Sequence, residues 1–70
     1  MINKGDLYTH FVKSGRYQVL DIVTPAGQAA RANGKAVVYQ DMRSGERYYR
    51  FIDDFMVSMS KIEEGHVLPE

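Results

Sequence analysis

The residues with the most evident chemistry form the run Arg47-Tyr48-Tyr49-Arg50. Successive side chains on a strand alternate between faces, so Arg50 would share a face with Tyr48, and Arg47 would share the other with Tyr49. Arginine beside tyrosine suits base stacking and phosphate contact, as in single-strand nucleic-acid grooves. The same residue types are enriched at protein hot spots, and they also occur as plain cross-strand packing. The run predicts a binding face and leaves the class of partner open.

A second candidate group lies near the start of the chain, where Tyr8 and His10 stand two residues apart. On a strand, this spacing places both on one face. His10 has two interpretations: a half-buried histidine bonded to a neighbouring backbone group, or a polar anchor in a pocket. The predicted binding residues are Tyr8, Tyr39 and Tyr49 for stacking, Arg47 and Arg50 for anion contacts, and His10 as the hydrogen-bonding anchor.

The sequence offers little for catalysis. No serine is marked as an activated nucleophile, and no Walker or dinucleotide-binding pattern occurs. Asp53 and Asp54 are adjacent, and neighbours on a helical turn point apart rather than sharing one site. The only histidines, His10 and His66, lie far apart, and there is no cysteine. We therefore expect a protein that is not an enzyme and that uses no cofactor and no metal.

A chain of 70 residues without cysteine is expected to form one domain whose thin core has no disulfide support. Self-association is an alternative source of stability, so a homo-oligomer is one expectation. No run approaches the roughly 18 apolar residues of a membrane span, and the residues after Met1 lack the apolar segment of a signal peptide. We expect a cytoplasmic protein with no membrane partner.

The net charge is zero, but the charges are unevenly distributed. Residues 1–50 hold eight lysines and arginines against four acids, which gives +4, and residues 51–70 hold one lysine against five acids, which gives −4. One interpretation is a basic face for an anionic partner. The other is an ordinary solvated surface with an acidic tail folded over it, because charge separation along a chain need not survive folding. Net neutrality is unusual for a general nucleic-acid binder.

Five short strands are predicted to position these residues. Their expected ranges are 7–12, 16–24, 35–42, 47–51 and 56–62, with a 3₁₀ turn at 52–55, a long alanine-rich loop over 24–36 and a flexible acidic tail at 63–70. The domain is therefore expected to span 5–62. Two hairpins and a one-turn helix before the last strand predict an all-β fold, a five-stranded SH3-like partly open barrel. The alternative is a curved five-stranded sheet without closure.

Several short motifs are spread over residues 5–60. They consist of Gly5, Tyr8, His10, Phe11, Tyr17, Val19, Leu20, Val37, Val38, Tyr39, Arg50 and Phe55. The set resembles an uncharacterised bacterial and phage family, a domain of unknown function with the pattern Tyr-x-His-Tyr/Phe, Tyr-x-Val-Leu, Val-Val-Tyr, then Arg and Phe. The resemblance implies a compact β fold without an established activity, and it favours Tyr8, His10, Tyr39 and Arg50 as one cluster.

The chain departs from that family at two places. Residues 24–36 are longer and alanine-rich where the family has a His-Ser-Glu-Thr-like segment, and Phe51 stands where a proline usually follows the arginine. Any site built on the middle segment is therefore not carried over by the resemblance.

The leading hypothesis is a non-enzymatic small β-barrel that binds nucleic acid or protein through an aromatic and basic face. The alternative is a phage or accessory inhibitor that sequesters a host protein or a small anionic nucleotide, as an oligomer. A third hypothesis is an assembly protein that pairs through an exposed strand edge.

Overall fold

The computed structural model describes residues 2–30 and 34–62. Its elements are β1 (Leu7–His10), β2 (Ser14–Val23), a 3₁₀ turn (Gly27–Ala29), β3 (Ala36–Asp41), β4 (Arg47–Phe51), α1 (Ile52–Ser58) and β5 (Met59–Ile62). The strands form one sheet in the order β4-β3-β2-β1-β5, and every neighbouring pair is antiparallel. Strands β4 and β5 are therefore the two edges, and α1 connects them.

The mainly β class and the five strands are confirmed, but the sheet does not close into a barrel. The edge strands β4 and β5 lie at opposite ends of the sheet, with three strands between them. The connection between them is a helix that packs on one face, so no ladder joins the two edges. Of the two arrangements predicted, the structure adopts the five-stranded sheet without closure.

The segment after β4 differs from its prediction. Residues 52–58 form an α-helix rather than a 3₁₀ turn over 52–55, and the last strand begins at Met59 rather than at residue 56. The physical reason is the burial of Phe55, which is 0% exposed, while Met56 and Val57 face solvent on the outer side of the helix. Helical geometry separates these neighbours in this way.

The core lies between α1 and the face of the sheet that the helix covers. The ring centroid of Phe55 is 4.8 Å from that of Tyr8 and 5.2 Å from that of Tyr39, both in edge-on geometry. The other buried members are Ile2, Val19, Val37 and Met59. Ile2 precedes the predicted start of the domain at Gly5, so the packed unit includes part of the segment before β1.

Two turns meet at one end of the sheet. Strand β1 ends at His10 rather than at residue 12, because residues 11–13 form the turn and Ser14 and Gly15 adopt positive φ values of 58° and 88°. The second turn follows β3, and the Met42 N–H donates to the Arg16 carbonyl at 2.9 Å. This bond holds the β1–β2 and β3–β4 turns side by side.

Two predicted segments lie partly or wholly outside the described residues. These are the acidic tail at 63–70 and residues 31–33 of the 24–36 loop. The described part of that loop contains one 3₁₀ turn, Gly27–Ala29. Within residues 2–30 and 34–62, no helix has the length and apolar character needed to cross a membrane.

Candidate binding cleft

An open cleft lies beside the core on the helix-covered face of the sheet. The residues that line it are His10, Lys13, Tyr17, Tyr39, Asp41, Tyr48 and Arg50, and its volume is about 300 Å³. We call it the tyrosine cleft. Its lining combines three phenol rings with side chains that carry or can carry charge, which is a suitable composition for a ligand that is both flat and ionic.

Strand register brings the three tyrosines together. Tyr39 on β3 lies directly opposite Tyr48 on β4, with ring centroids 5.6 Å apart, and the Tyr17 ring on β2 packs edge-on against Tyr39 at 5.8 Å. Tyr39 is 4% exposed, whereas Tyr48 is 44% exposed. Tyr39 is therefore the floor of the cleft, and Tyr48 offers a ring on which a flat ligand can stack.

Arg50 is held in the cleft by three hydrogen bonds. Its Nε donates to the Tyr39 hydroxyl oxygen at 2.8 Å. Its Nη1 donates to Asp54 Oδ2 at 3.0 Å and to Ser58 Oγ at 3.2 Å. The bond to Tyr39 is the main cause that raises the pKa of Arg50, against the opposing effect of burial. Among the described residues Nη2 has no hydrogen-bond partner, so this amino group is available to an anion.

His10 bonds to neighbouring backbone groups, as the first of its two predicted interpretations states, and its role as a binding anchor stays a prediction. Its Nδ1 accepts hydrogen bonds from the backbone N–H groups of Val12 and Lys13, both at 3.0 Å. An accepting nitrogen carries no proton, so these bonds assign the Nε2–H tautomer. The imidazole thereby fixes the turn after β1, which brings Lys13 to the rim of the cleft, and keeps Nε2–H as a donor.

A second recess continues the cleft at the turn end of the sheet. It is lined by Lys13, Ser14, Gly15, Arg16, Tyr17, Asp41, Met42 and Arg43 and has a volume of about 510 Å³. We call it the basic recess. It shares Lys13, Tyr17 and Asp41 with the tyrosine cleft, so the two form one continuous surface.

Asp41 is the one carboxylate among the residues that line this surface. Its Oδ1 accepts from the backbone N–H of Arg43 at 2.8 Å and from that of Ser44 at 3.4 Å. These backbone bonds, the one from Arg43 first, lower the pKa of Asp41 below its usual value. The carboxylate is therefore engaged in building the turn, and the lysine and arginine side chains outnumber it.

The structure places three of the six predicted binding residues in the tyrosine cleft, namely His10, Tyr39 and Arg50. Tyr8 lies on the same face but is 5% exposed and packs against Phe55. Burial, with the nearby Asp6 carboxylate, raises the pKa of Tyr8. Tyr8 is therefore a core residue that supports the cleft from behind, rather than a ring on which a ligand stacks.

Arg47 and Tyr49 lie on the opposite face of the sheet. They line a separate apolar groove of about 420 Å³ with Val23, Pro25, Ala36, Val38 and Tyr48. Tyr49 is 60% exposed, and its ring meets Phe51 edge-on at 6.1 Å. The predicted aromatic and basic face is thus two surfaces, and Tyr48 at the sheet edge borders both.

Four cleft residues were missed by the sequence prediction. Tyr48 had a usable signal, because strand alternation places it on the face of Arg50. Tyr17 was assigned to a central core strand, and its ring is in fact partly buried beside Tyr39. Lys13 and Asp41 depend on the turn geometry and on cross-strand register, which no sequence pattern indicated.

Within the described residues, no three histidine, aspartate or glutamate side chains gather where they could hold a metal ion. Comparison of the chain with protein-family models, curated proteins and solved structures finds no match.

Proposed function

We propose that this protein is a non-enzymatic binding module whose tyrosine cleft takes a nucleotide, either free or as part of a single strand. The observation that carries the proposal is the pairing of the exposed Tyr48 ring with the Arg50 guanidinium in one cleft. A ring suited to stacking and a cation suited to phosphate contact are the two components of single-strand recognition.

The basic recess supports an extended ligand. Lys13, Arg16 and Arg43 continue the cleft along the turn end of the sheet. A phosphate seated at Arg50 would therefore have further cations beside it, as a phosphodiester chain requires. The zero net charge of the chain does not oppose this proposal, because the lining of the cleft and recess is locally basic.

The state of the polar groups supports binding rather than catalysis. His10 Nδ1 already accepts two backbone hydrogen bonds, and the Asp41 carboxylate is committed to its turn. A general base needs an accepting atom within reach of the substrate proton, and His10 Nδ1 and Asp41 Oδ1 are directed at the protein backbone.

We also propose that the fold of this chain is related to the SH3-like folds. The five short strands, the two hairpins and the short helix before the last strand support this relationship. Membership of the bacterial and phage family of unknown function is supported by the positions of Tyr8, His10, Tyr39 and Arg50 on one face of one sheet.

The test is fluorescence anisotropy with labelled ten-nucleotide DNA and RNA strands at several salt concentrations, with unlabelled mononucleotides as competitors. We expect single strands to bind, and Lys13→Gln to weaken binding several-fold and to reduce the salt slope by about 0.7 for one lost phosphate contact. The matched control is Lys4→Gln, an exposed lysine outside the cleft and the recess, which should bind like the wild type.

The competition experiment distinguishes three outcomes: a free nucleotide is the ligand, a single strand is the ligand, or the proposal fails. Competition by mononucleotides at similar concentration would assign a free nucleotide as the ligand. Binding of strands without such competition would assign a single strand. Absence of binding by both at low salt, or equal effects of Lys13→Gln and Lys4→Gln, would overturn the proposal.

A further inference from the structure

Helix α1 forms a wall at one end of the tyrosine cleft. Strand β4 ends at Phe51, and α1 begins at the next residue, Ile52, whose N–H donates to the Lys35 carbonyl at 2.9 Å. The helix then places Phe55, which is 0% exposed, against the Tyr39 ring at 5.2 Å. The space on this side of Tyr39 is therefore filled by protein, and the cleft is closed there.

Arg50 lies at this wall and is bonded to it. Its Nη1 donates to Asp54 Oδ2 and to Ser58 Oγ, both on α1, and its Nε donates to the Tyr39 hydroxyl oxygen. The donors that these bonds leave for a ligand are the Nη2 group of Arg50 and the O–H group of Tyr39. Both donors belong to the closed end of the cleft.

The sign of the charge changes along the cleft. On the side of the turns, the cleft continues into the basic recess with its three lysine and arginine side chains. On the side of α1, the first turn of the helix carries Asp53 and Asp54, and the Asp54 side chain is 55% exposed. A polyanion is attracted along the recess and repelled at the helix. This distribution favours a nucleic-acid strand that ends at Arg50 over one that runs past it.

We propose that the closed end of the tyrosine cleft binds a terminal phosphomonoester, either the phosphorylated end of a single strand or the phosphate of a mononucleotide. This inference rests on the proposed function and names the group that is recognised at Arg50. A phosphodiester within a strand has a nucleoside on each side, and one of the two would have to lie where α1 stands. A phosphomonoester has one substituent, which can lead back over Tyr48 towards the basic recess.

The two donors at the closed end suit such a group. A phosphomonoester carries about 1.5 to 2 negative charges at pH 7 and three acceptor oxygens, so it can accept from Arg50 Nη2 and from the Tyr39 O–H together. Hydrogen bonds to an ionised acceptor are short and strong. The adjoining base would stack on Tyr48, which is 44% exposed and whose ring centroid lies 5.6 Å from that of Tyr39.

The test is displacement of an internally labelled, 5′-phosphorylated ten-nucleotide DNA strand, followed by fluorescence anisotropy. The unlabelled competitors share one sequence and carry a 5′-phosphate, a 3′-phosphate or no terminal phosphate. Adenosine monophosphate and adenosine are compared in the same way. We expect one phosphorylated form of the strand to compete about tenfold more tightly than the unphosphorylated form, as one charge-assisted hydrogen bond implies.

Two arginine substitutions distinguish the closed end from the recess. Arg50→Gln should bring the affinity ratio of phosphorylated to unphosphorylated strands close to one. Arg43→Gln removes the same charge from the recess, so it should weaken the binding of both strands alike and keep their ratio. Tyr39→Phe is a milder variant that keeps the ring packed on Phe55, and it should lower the ratio even if Arg50→Gln fails to fold.

The two sources of the phosphate are separated by the mononucleotide. Adenosine monophosphate that competes as tightly as the phosphorylated strand would assign a free nucleotide, and weaker competition would assign the end of a strand. Equal competition by phosphorylated and unphosphorylated ligands would overturn the inference and leave the proposed function intact, because strands would still bind. A ratio that survives in Tyr39→Phe and Arg50→Gln, or that falls equally in Arg43→Gln, would also overturn it. Absence of binding by every strand and nucleotide would overturn the proposed function as well.

Discussion

The Arg50 Nε–H group donates a 2.8 Å hydrogen bond to the hydroxyl oxygen of Tyr39, a side chain on the neighbouring strand. A phenol that accepts in this way keeps its own O–H free to donate elsewhere. The pair therefore offers two donors, the Tyr39 O–H and the Arg50 Nη2 group, at the floor of the tyrosine cleft. An anion is the ligand that uses both.

Tyr39→Phe tests this pair directly. The variant keeps the ring that packs on Phe55 but removes the acceptor for Arg50, so we expect a loss of about 1 kcal/mol in the free energy of unfolding. Ligand affinity should fall as well, because the guanidinium loses one of its orienting bonds. Urea denaturation and anisotropy measure the two effects. Tyr48→Phe is the control, and equal behaviour of the two variants would contradict the prediction.

Asp54→Asn tests whether the ion pair between Asp54 and Arg50 weakens the binding of an anionic ligand to Arg50. Asp54 accepts from Nη1 at 3.0 Å, and its side chain is 55% exposed. Removal of an exposed partner costs little stability, about 0.5 kcal/mol or less, but it removes a carboxylate that competes with an anionic ligand. We expect a several-fold gain in affinity for single strands.

The control for that change is Asp53→Asn, which removes the same charge from the first turn of α1 without touching the Arg50 pair. The affinity of Asp53→Asn for single strands should rise less than that of Asp54→Asn. If Asp54→Asn bound strands no better than Asp53→Asn, a phosphate site at Arg50 would be ruled out.

The sequence predicted the sheet better than the helix. Strand β4 was predicted at its observed bounds, because Gly45 marks the turn before it and a dense aromatic run follows. Residues 56–62 were assigned to a strand, with Met56, Ser58 and Ser60 on one face and Val57, Met59 and Lys61 on the other. The buried positions of this region, Phe55 and Met59, are four residues apart, and that helical spacing becomes evident once the core is known.

Three of the predicted binding residues, His10, Tyr39 and Arg50, line one cleft, and tertiary packing decided the positions of the others. Strand alternation correctly separated Arg47 and Tyr49 from Arg50. The burial of Tyr8 could not be predicted from its strand, since the residue that covers it, Phe55, belongs to the helix. The orientation of His10 likewise depends on a turn whose backbone N–H groups the sequence does not place.

His10→Asn and His10→Ala together separate the two roles of this side chain. An Asn oxygen stands close to the position of Nδ1 and can still accept from the turn, whereas Ala leaves both N–H groups without that acceptor. We expect His10→Ala to cost about 1 kcal/mol of unfolding free energy and His10→Asn to cost clearly less.

Both His10 variants lose the Nε2–H donor, so both should bind single strands more weakly than the wild type. Urea denaturation and anisotropy on the same samples check this pattern. An affinity for strands that is unchanged in His10→Asn would show that the imidazole only builds the turn.

The lowered pKa of Asp41 predicts how the free energy of unfolding changes as the pH falls. Backbone N–H groups of the β3–β4 turn, that of Arg43 first, lower the pKa of its carboxyl below the usual value of 3.8. A carboxyl whose pKa is lower in the folded state stabilises the fold above its unfolded pKa, and the contribution is lost as the pH falls through the folded value. Asp41→Asn keeps an acceptor in the turn but does not titrate, so its stability should fall less steeply than that of the wild type below about pH 4. Urea denaturation at a series of pH values measures this, and parallel acid curves for the two proteins would contradict it.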